Sequence, residues 1–110
     1  MGSKYQYRLS QKAEADLDGI ISYIAVELSN PKAASDFMDK VVKVIDETRS
    51  FPKSGSHVNN EFLSNTAVQK QMIDNYIMYY LPDLEEKVIY IVRIVYGKRN
   101  MDEILRELDL

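Results

Sequence analysis

A chain of 110 residues, 45% apolar, with four glycines and three prolines, is long enough to bury one core and too short for two domains. It has no cysteine, which excludes a disulfide framework and a cysteine-ligated zinc site and fits a reducing cytoplasm. The net charge of −3 argues against a general nucleic-acid binder. No apolar run reaches the roughly 18 residues of a membrane helix, so neither a membrane partner nor a secretory leader is expected.

Met1, Gly2 and Ser3 read as a cloning remnant, and the patterned sequence begins at Lys4. From Lys4 to Leu9 the chain alternates, with Tyr5, Tyr7 and Leu9 on one side and Lys4, Gln6 and Arg8 on the other. Period two with aromatics predicts a half-buried strand. Ser10 suits a helix N-cap, since its hydroxyl accepts from the free amides of the first turn. Ala13, Leu17, Ile20, Ile21, Ile24 and Leu28 follow at spacings of three and four, one stripe on a long helix. Glu14, Asp16 and Asp18 lie near its positive end, where the helix dipole favours acids.

Asn30 and Pro31 stop that helix and start another, as cap and first helical residue. Its stripe is Ala34, Phe37, Met38, Val41, Val42 and Ile45. So short a link between two amphipathic helices predicts an antiparallel hairpin, with Leu17, Ile24, Phe37 and Val41 inaccessible against a sheet. Phe51 to Gly55 carries breakers, and residues 52–67 read as a loop.

The second half reads as β-structure. Val68–Ile73 is a weak strand and Tyr76–Leu81 a stronger one, with a turn from Pro82 to Glu86. Val88–Tyr96 is apolar at nearly every position, as a covered central strand requires. Gly97 breaks it, and Met101–Leu108 has the pattern of a short helix. Short links make the last three strands an antiparallel meander with the first strand at an edge. The expected fold class is α+β. An N-terminal strand and an antiparallel helical hairpin pack on a mostly antiparallel four-stranded sheet, followed by a short C-terminal helix, all within a single domain over residues 4–108. The sheet face away from the hairpin is expected to be partly open and to collect Arg93.

Charge is unevenly placed. Lys87, Arg93, Lys98 and Arg99 fall between positions 87 and 99 with no acid among them. The only histidine, His57, lies in the loop with no catalytic neighbours in sequence. Arg93 has two readings, a binding cation or a structural partner of a strand neighbour or of a C-terminal acid such as Asp102. Tyr76, Tyr79 and Tyr80 read as core and cross-strand packing. No metal or cofactor is expected.

In order and spacing these segments resemble the RelE/ParE superfamily of bacterial type II toxins, over roughly residues 4–105. The resemblance rests on Ser10-Gln11-Lys12-Ala13-Glu14-Ala15-Asp16-Leu17 opening a helix after a strand, and on Phe51-Pro52 closing the hairpin. It rests most on Tyr76-Ile77-Met78-Tyr79-Tyr80, a turn, then Val88–Val95 and Tyr96-Gly97-Lys98-Arg99. It implies a growth inhibitor, of the plasmid-stabilising kind, neutralised by a cognate antitoxin in a heterotetramer or higher complex.

Two targets are known in the family, and resemblance of fold does not choose between them. RelE-like members cleave messenger RNA on the ribosome; ParE-like members poison DNA gyrase and are not nucleases. RelE-like toxins carry an arginine directly after the tyrosine of the middle strand, where this chain has Ile77. They also carry a C-terminal tyrosine or His-Tyr pair, where the matching position is Leu105, with Tyr96 close by. Together with a long hairpin, this favours a ParE-like gyrase inhibitor without catalytic residues. A ribosome-dependent endoribonuclease and an inactive antitoxin-binding domain are the alternatives. The target-binding residues implied are Arg93, Tyr96, Lys98, Arg99 and Lys70.

Overall fold

A computed structural model describes residues 4–58 and 67–98. Its elements in chain order are β1 (Gln6–Leu9), α1 (Gln11–Ser22), a π-helical turn (Tyr23–Glu27), α2 (Pro31–Ser50), β2 (Ser56–His57), β3 (Gln69–Ile73), β4 (Tyr76–Asp83) and β5 (Val88–Tyr96). The expected helix at Met101–Leu108 lies outside the described residues, as do Arg99, Asp102 and Leu105.

Five strands form one sheet in the order β1-β5-β4-β3-β2. β3, β4 and β5 are the expected antiparallel meander, and β1 is the expected edge strand, paired parallel to β5. The fifth strand, β2, was read as loop: Ser56 and His57 pair with Lys70 and Gln69. Its two polar residues carry no period for a pattern to reveal. β4 also runs two residues past its expected end. Beyond Tyr80 it has no β3 partner, and Pro82 pairs only with β5, a one-sided position where a missing amide hydrogen is tolerated. Asp83 then closes the turn, its Oδ1 accepting from the amides of Glu85 and Glu86 at 3.1 and 3.0 Å.

The hairpin forms as capped. Ser10 Oγ accepts from the Ala13 amide at 3.0 Å, and Asn30 Oδ1 accepts from the Ala33 amide at 3.1 Å. Phe37, Val41 and Ile45 of α2 pack with Ala13 of α1 against Ile73, Met78, Tyr80, Ile89, Ile91 and Ile94 of the sheet. Burial of this one face is the main stabilising term, at roughly 25 cal/mol per Å² of apolar area removed from water.

Four stripe positions depart from expectation. Leu17 is only half-buried, because α1 lies over the β1–β5 side of the sheet and not its centre, and Ile24 is half-buried in the π-turn, which packs on α2. Leu28 is 55% exposed and Val42 58%. The π-turn explains Leu28: one extra residue in the turn sets every later position back by about 100° of helical phase. Val42 directly follows the buried Val41 and falls at the rim of its stripe.

The opposite sheet face carries a smaller cluster of Val68, Ile77, Tyr79 and Val95, flanked by Val58, Leu81 and Val92. Tyr79 and Tyr80 are fully buried, as read from the sequence. The Tyr80 hydroxyl donates to Gln69 Oε1 at 3.0 Å and accepts from the Gly55 amide at 2.9 Å, which ties the segment after α2 to the sheet. A side chain at Gly55 would collide with that hydroxyl and with the Lys70 carbonyl.

Candidate functional site

The site is built on the second half of β5, whose surroundings change abruptly along its length. As far as Ile91 it lies between two strands, since β1 pairs with it through Leu9↔Ile91 and β4 lies on its other side. There β1 ends and the chain turns into α1. The register with β4 slips at the same place: Tyr80 pairs with Ile91 and Tyr79 with Arg93, so Val92 is the extra residue of a β-bulge. A bulge bends and twists a strand, and here it re-aims the run from Arg93 to Tyr96.

With no strand beyond Leu9, side chains of the helix start take over that edge. The Ser10 amide donates to the Ile91 carbonyl at 2.9 Å, and its hydroxyl donates to the Val92 carbonyl at 2.9 Å. Asp16 Oδ2 accepts from the Ile94 amide at 3.0 Å. The same carboxylate receives Arg93 Nε at 2.7 Å and Nη2 at 3.0 Å, a two-point pair. The side chains of Arg93 and Asp16 are 8% and 14% exposed. Arg93 therefore does not lie exposed on the open face. Of its two readings, the structure shows pairing, with an acid on α1; Asp102 lies outside the described residues.

Two residues on, Tyr96 is 41% exposed on the rim. Its ring lies 5.6 Å from that of Tyr76, which meets Phe37 edge-on at 5.1 Å. Burial raises the Tyr76 phenol above its ordinary pKa, and the phenols of Tyr23 and Tyr96 nearby add to the effect. Tyr23, Tyr76 and Tyr96, with Asp16, Gly19, Ile20 and Ile94, border a groove of about 550 Å³ between α1 and the end of β5. Gly97 turns the chain away, its amide donating to the Asn75 carbonyl at 2.8 Å, and Lys98 is exposed.

Of the five residues singled out from sequence, Arg93, Tyr96 and Lys98 share this strand end, and Arg99 follows outside the described residues. Lys70 does not join them. It lies on β3 opposite Tyr79, in the row of Arg93 and two strands from it, so about 10 Å separates their backbones. Ile77, where nuclease-type relatives are read to carry arginine, is 6% exposed within the smaller apolar cluster. His57 is an exposed residue of β2. Among the described residues no group of acids and histidine is placed to hold a metal ion, and no helix is long and apolar enough to cross a membrane.

Sequence reasoning missed Asp16, which it read as an acid suiting the helix dipole. The signal was present. Asp16 stands three residues after Ala13 and four before Ile20, inside the apolar stripe. An acid in that place needs a buried partner.

A helical hairpin on one face of a small five-stranded sheet defines an α+β domain of the RelE/ParE fold. The profile of the ParE toxin of the type II toxin–antitoxin system parDE matches residues 7–101, and the chain belongs to that family of toxins. Comparison with curated protein sequences returns no match. Among solved structures the fold is similar to that of a chain from the chromosomal ParDE system of P. aeruginosa, at TM-score 0.67 and 21% identity over 86% of this chain and 98% of that one. It is also similar to a chain of the RelBE2 toxin–antitoxin complex of Mycobacterium tuberculosis, at TM-score 0.59 and 15% identity over 86% and 99%. A chain of the archaeal RelE–RelB complex of Pyrococcus horikoshii aligns at TM-score 0.57 and 14% identity over 89% and 100%.

Proposed function

We propose that this toxin inhibits DNA gyrase in the cytoplasm through the open end of β5, without cleaving RNA, and that a cognate antitoxin silences it. The observation that carries the choice of target is Ile77. Metal-independent RNA cleavage needs a cation against the charge that builds on the scissile phosphate, and removing one such group typically costs on the order of 100-fold or more in rate. An aliphatic side chain buried among Val68, Tyr79 and Val95 neither donates a hydrogen bond nor carries charge. Arg93, the nearest buried cation along β5, is held by Asp16.

Contact with gyrase falls to Tyr96, Lys98 and Arg99, with Lys70 outside the patch and Arg93 behind it. The antitoxin takes the groove between α1 and β5, or adds a strand to an edge of the sheet. Such coupled folding carries a large negative heat-capacity change. Primer extension on translated messages with purified protein tests the reading. No cleavage is expected; cleavage at codons in the ribosomal A site would overturn it and make the chain a ribosome-dependent endoribonuclease.

A further inference from the structure

Three donors converge on one carboxylate at the point where β5 loses its strand neighbour. Arg93 Nε, Arg93 Nη2 and the Ile94 amide all point at Asp16, at 2.7, 3.0 and 3.0 Å. Two of the three belong to one side chain and the third to the backbone of the next residue. The carboxylate therefore fixes a side chain and the strand's path together. It bridges 77 residues of sequence, from the second turn of α1 to the last strand. We propose that Asp16 is a positioning residue for the toxin's contact surface. By clamping Arg93 and Ile94 it sets where Tyr96 and Lys98 stand, and so controls potency without touching the target. This rests on the reading of the β5 end as that surface.

The chemistry demands a carboxylate. Ionised aspartate offers only acceptors, enough for three donors; asparagine offers one acceptor oxygen and turns an NH2 group toward the guanidinium. The placement gives the clamp leverage. Tyr96 follows Ile94 by two residues of extended strand, about 7 Å, and Lys98 stands in the turn directly after it. A small change in the direction of the strand at the bulge is therefore carried to the exposed end. β4 pairs again from Arg93 to Tyr96, but the bulge at Val92 separates that stretch from the ladder before it, and the Asp16 side fixes the angle between the two.

The test compares the parent with Asp16→Asn and Lys98→Glu at 25 °C, provided both variants melt well above that temperature. Three quantities are read: amide hydrogen exchange, the Arg93 Nε–H resonance, and growth inhibition on induction at equal soluble protein. For Asp16→Asn we expect exchange at Ile94 and at Val95, whose amide faces β4, to quicken at least tenfold while Gln71 and Met78 keep their rates. The Arg93 Nε–H signal should move or broaden, and growth inhibition should weaken at least tenfold.

Equal quickening across β3, β4 and β5 would make Asp16 merely structural and overturn the proposal. Unchanged exchange at Ile94 and Val95 would overturn it too. So would local loosening with full toxicity, if Lys98→Glu abolishes that toxicity. If Lys98→Glu stays fully toxic, the contact-surface reading falls by itself, and the exchange data still decide whether the clamp exists. Should Asp16→Asn not fold, Arg93→Lys carries the same comparison, because it keeps the charge and loses the two-point contact.

Discussion

The two halves of β5 are held by different means. From Val88 to Ile91 the strand has β1 on one side and β4 on the other, a backbone ladder that depends little on which side chains are present. From Val92 to Tyr96 it keeps β4, and its other edge is secured by Ser10 and Asp16. A ladder spreads the attachment over many bonds, whereas a clamp concentrates it in one carboxylate. The first half thus suits a core. The second half suits a surface that is firm in shape and still accessible to a partner.

The sharpest way to break this contrast is Asp16→Ala, which takes the two-point carboxylate from the buried Arg93 and removes the acceptor of the Ile94 amide. Breaking such a pair by deleting one partner costs about 3–5 kcal/mol, measured by urea unfolding. A loss under about 1 kcal/mol would mean that water replaces the carboxylate at no penalty and that the clamp is not closed. On the ladder side, Ile91→Val removes one methylene from the main core. It should cost about 1 kcal/mol and leave exchange at Val95 unaltered relative to the rest of the sheet. Selective loosening of Val95 in that variant would erase the distinction between the halves.

A smaller, shared effect is expected at high pH. Tyr79 and Tyr80 pair with Arg93 and Ile91 on either side of the bulge, and burial pushes both phenols above their ordinary pKa. For groups raised in the folded state, the stabilisation is complete below the unfolded pKa, about 10, and is lost as pH rises through the folded value. The melting temperature should therefore be insensitive to these groups up to about pH 9 and fall above about 10. Both halves of β5 should loosen together; a melting temperature that rises above pH 10 would contradict the sign.

What was legible in the sequence follows the same division. The hairpin could be read because Phe37, Val41 and Ile45 repeat at helical spacing and Asn30-Pro31 marks the cap. The meander could be read because Tyr76–Leu81 and Val88–Tyr96 are dense in strand formers, and the edge place of β1 followed from its alternation. What failed depends on contacts distant in the chain or on irregular backbone. β2 is two polar residues held only by β3. The π-turn has no local pattern that separates it from an α-helix, yet it moves Leu28 out of the stripe. Asp16, which pairs with Arg93, is 77 residues away in sequence, beyond the reach of local patterning. At the candidate site, Tyr96 and Lys98 were legible as an exposed end after a breaker at Gly97, whereas the separation of Lys70 needed the strand order.

The account as a whole depends on what the open end of β5 touches. The most direct test is a supercoiling assay with purified gyrase, comparing the parent protein with the Lys98→Glu, Arg99→Glu double variant. Exposed charges contribute little to stability, so the double variant should melt within a few degrees of the parent. The parent should block supercoiling, and the double variant should leave it intact. Supercoiling untouched by the parent protein, or blocked equally by both, would contradict the assignment of the target to gyrase through this surface.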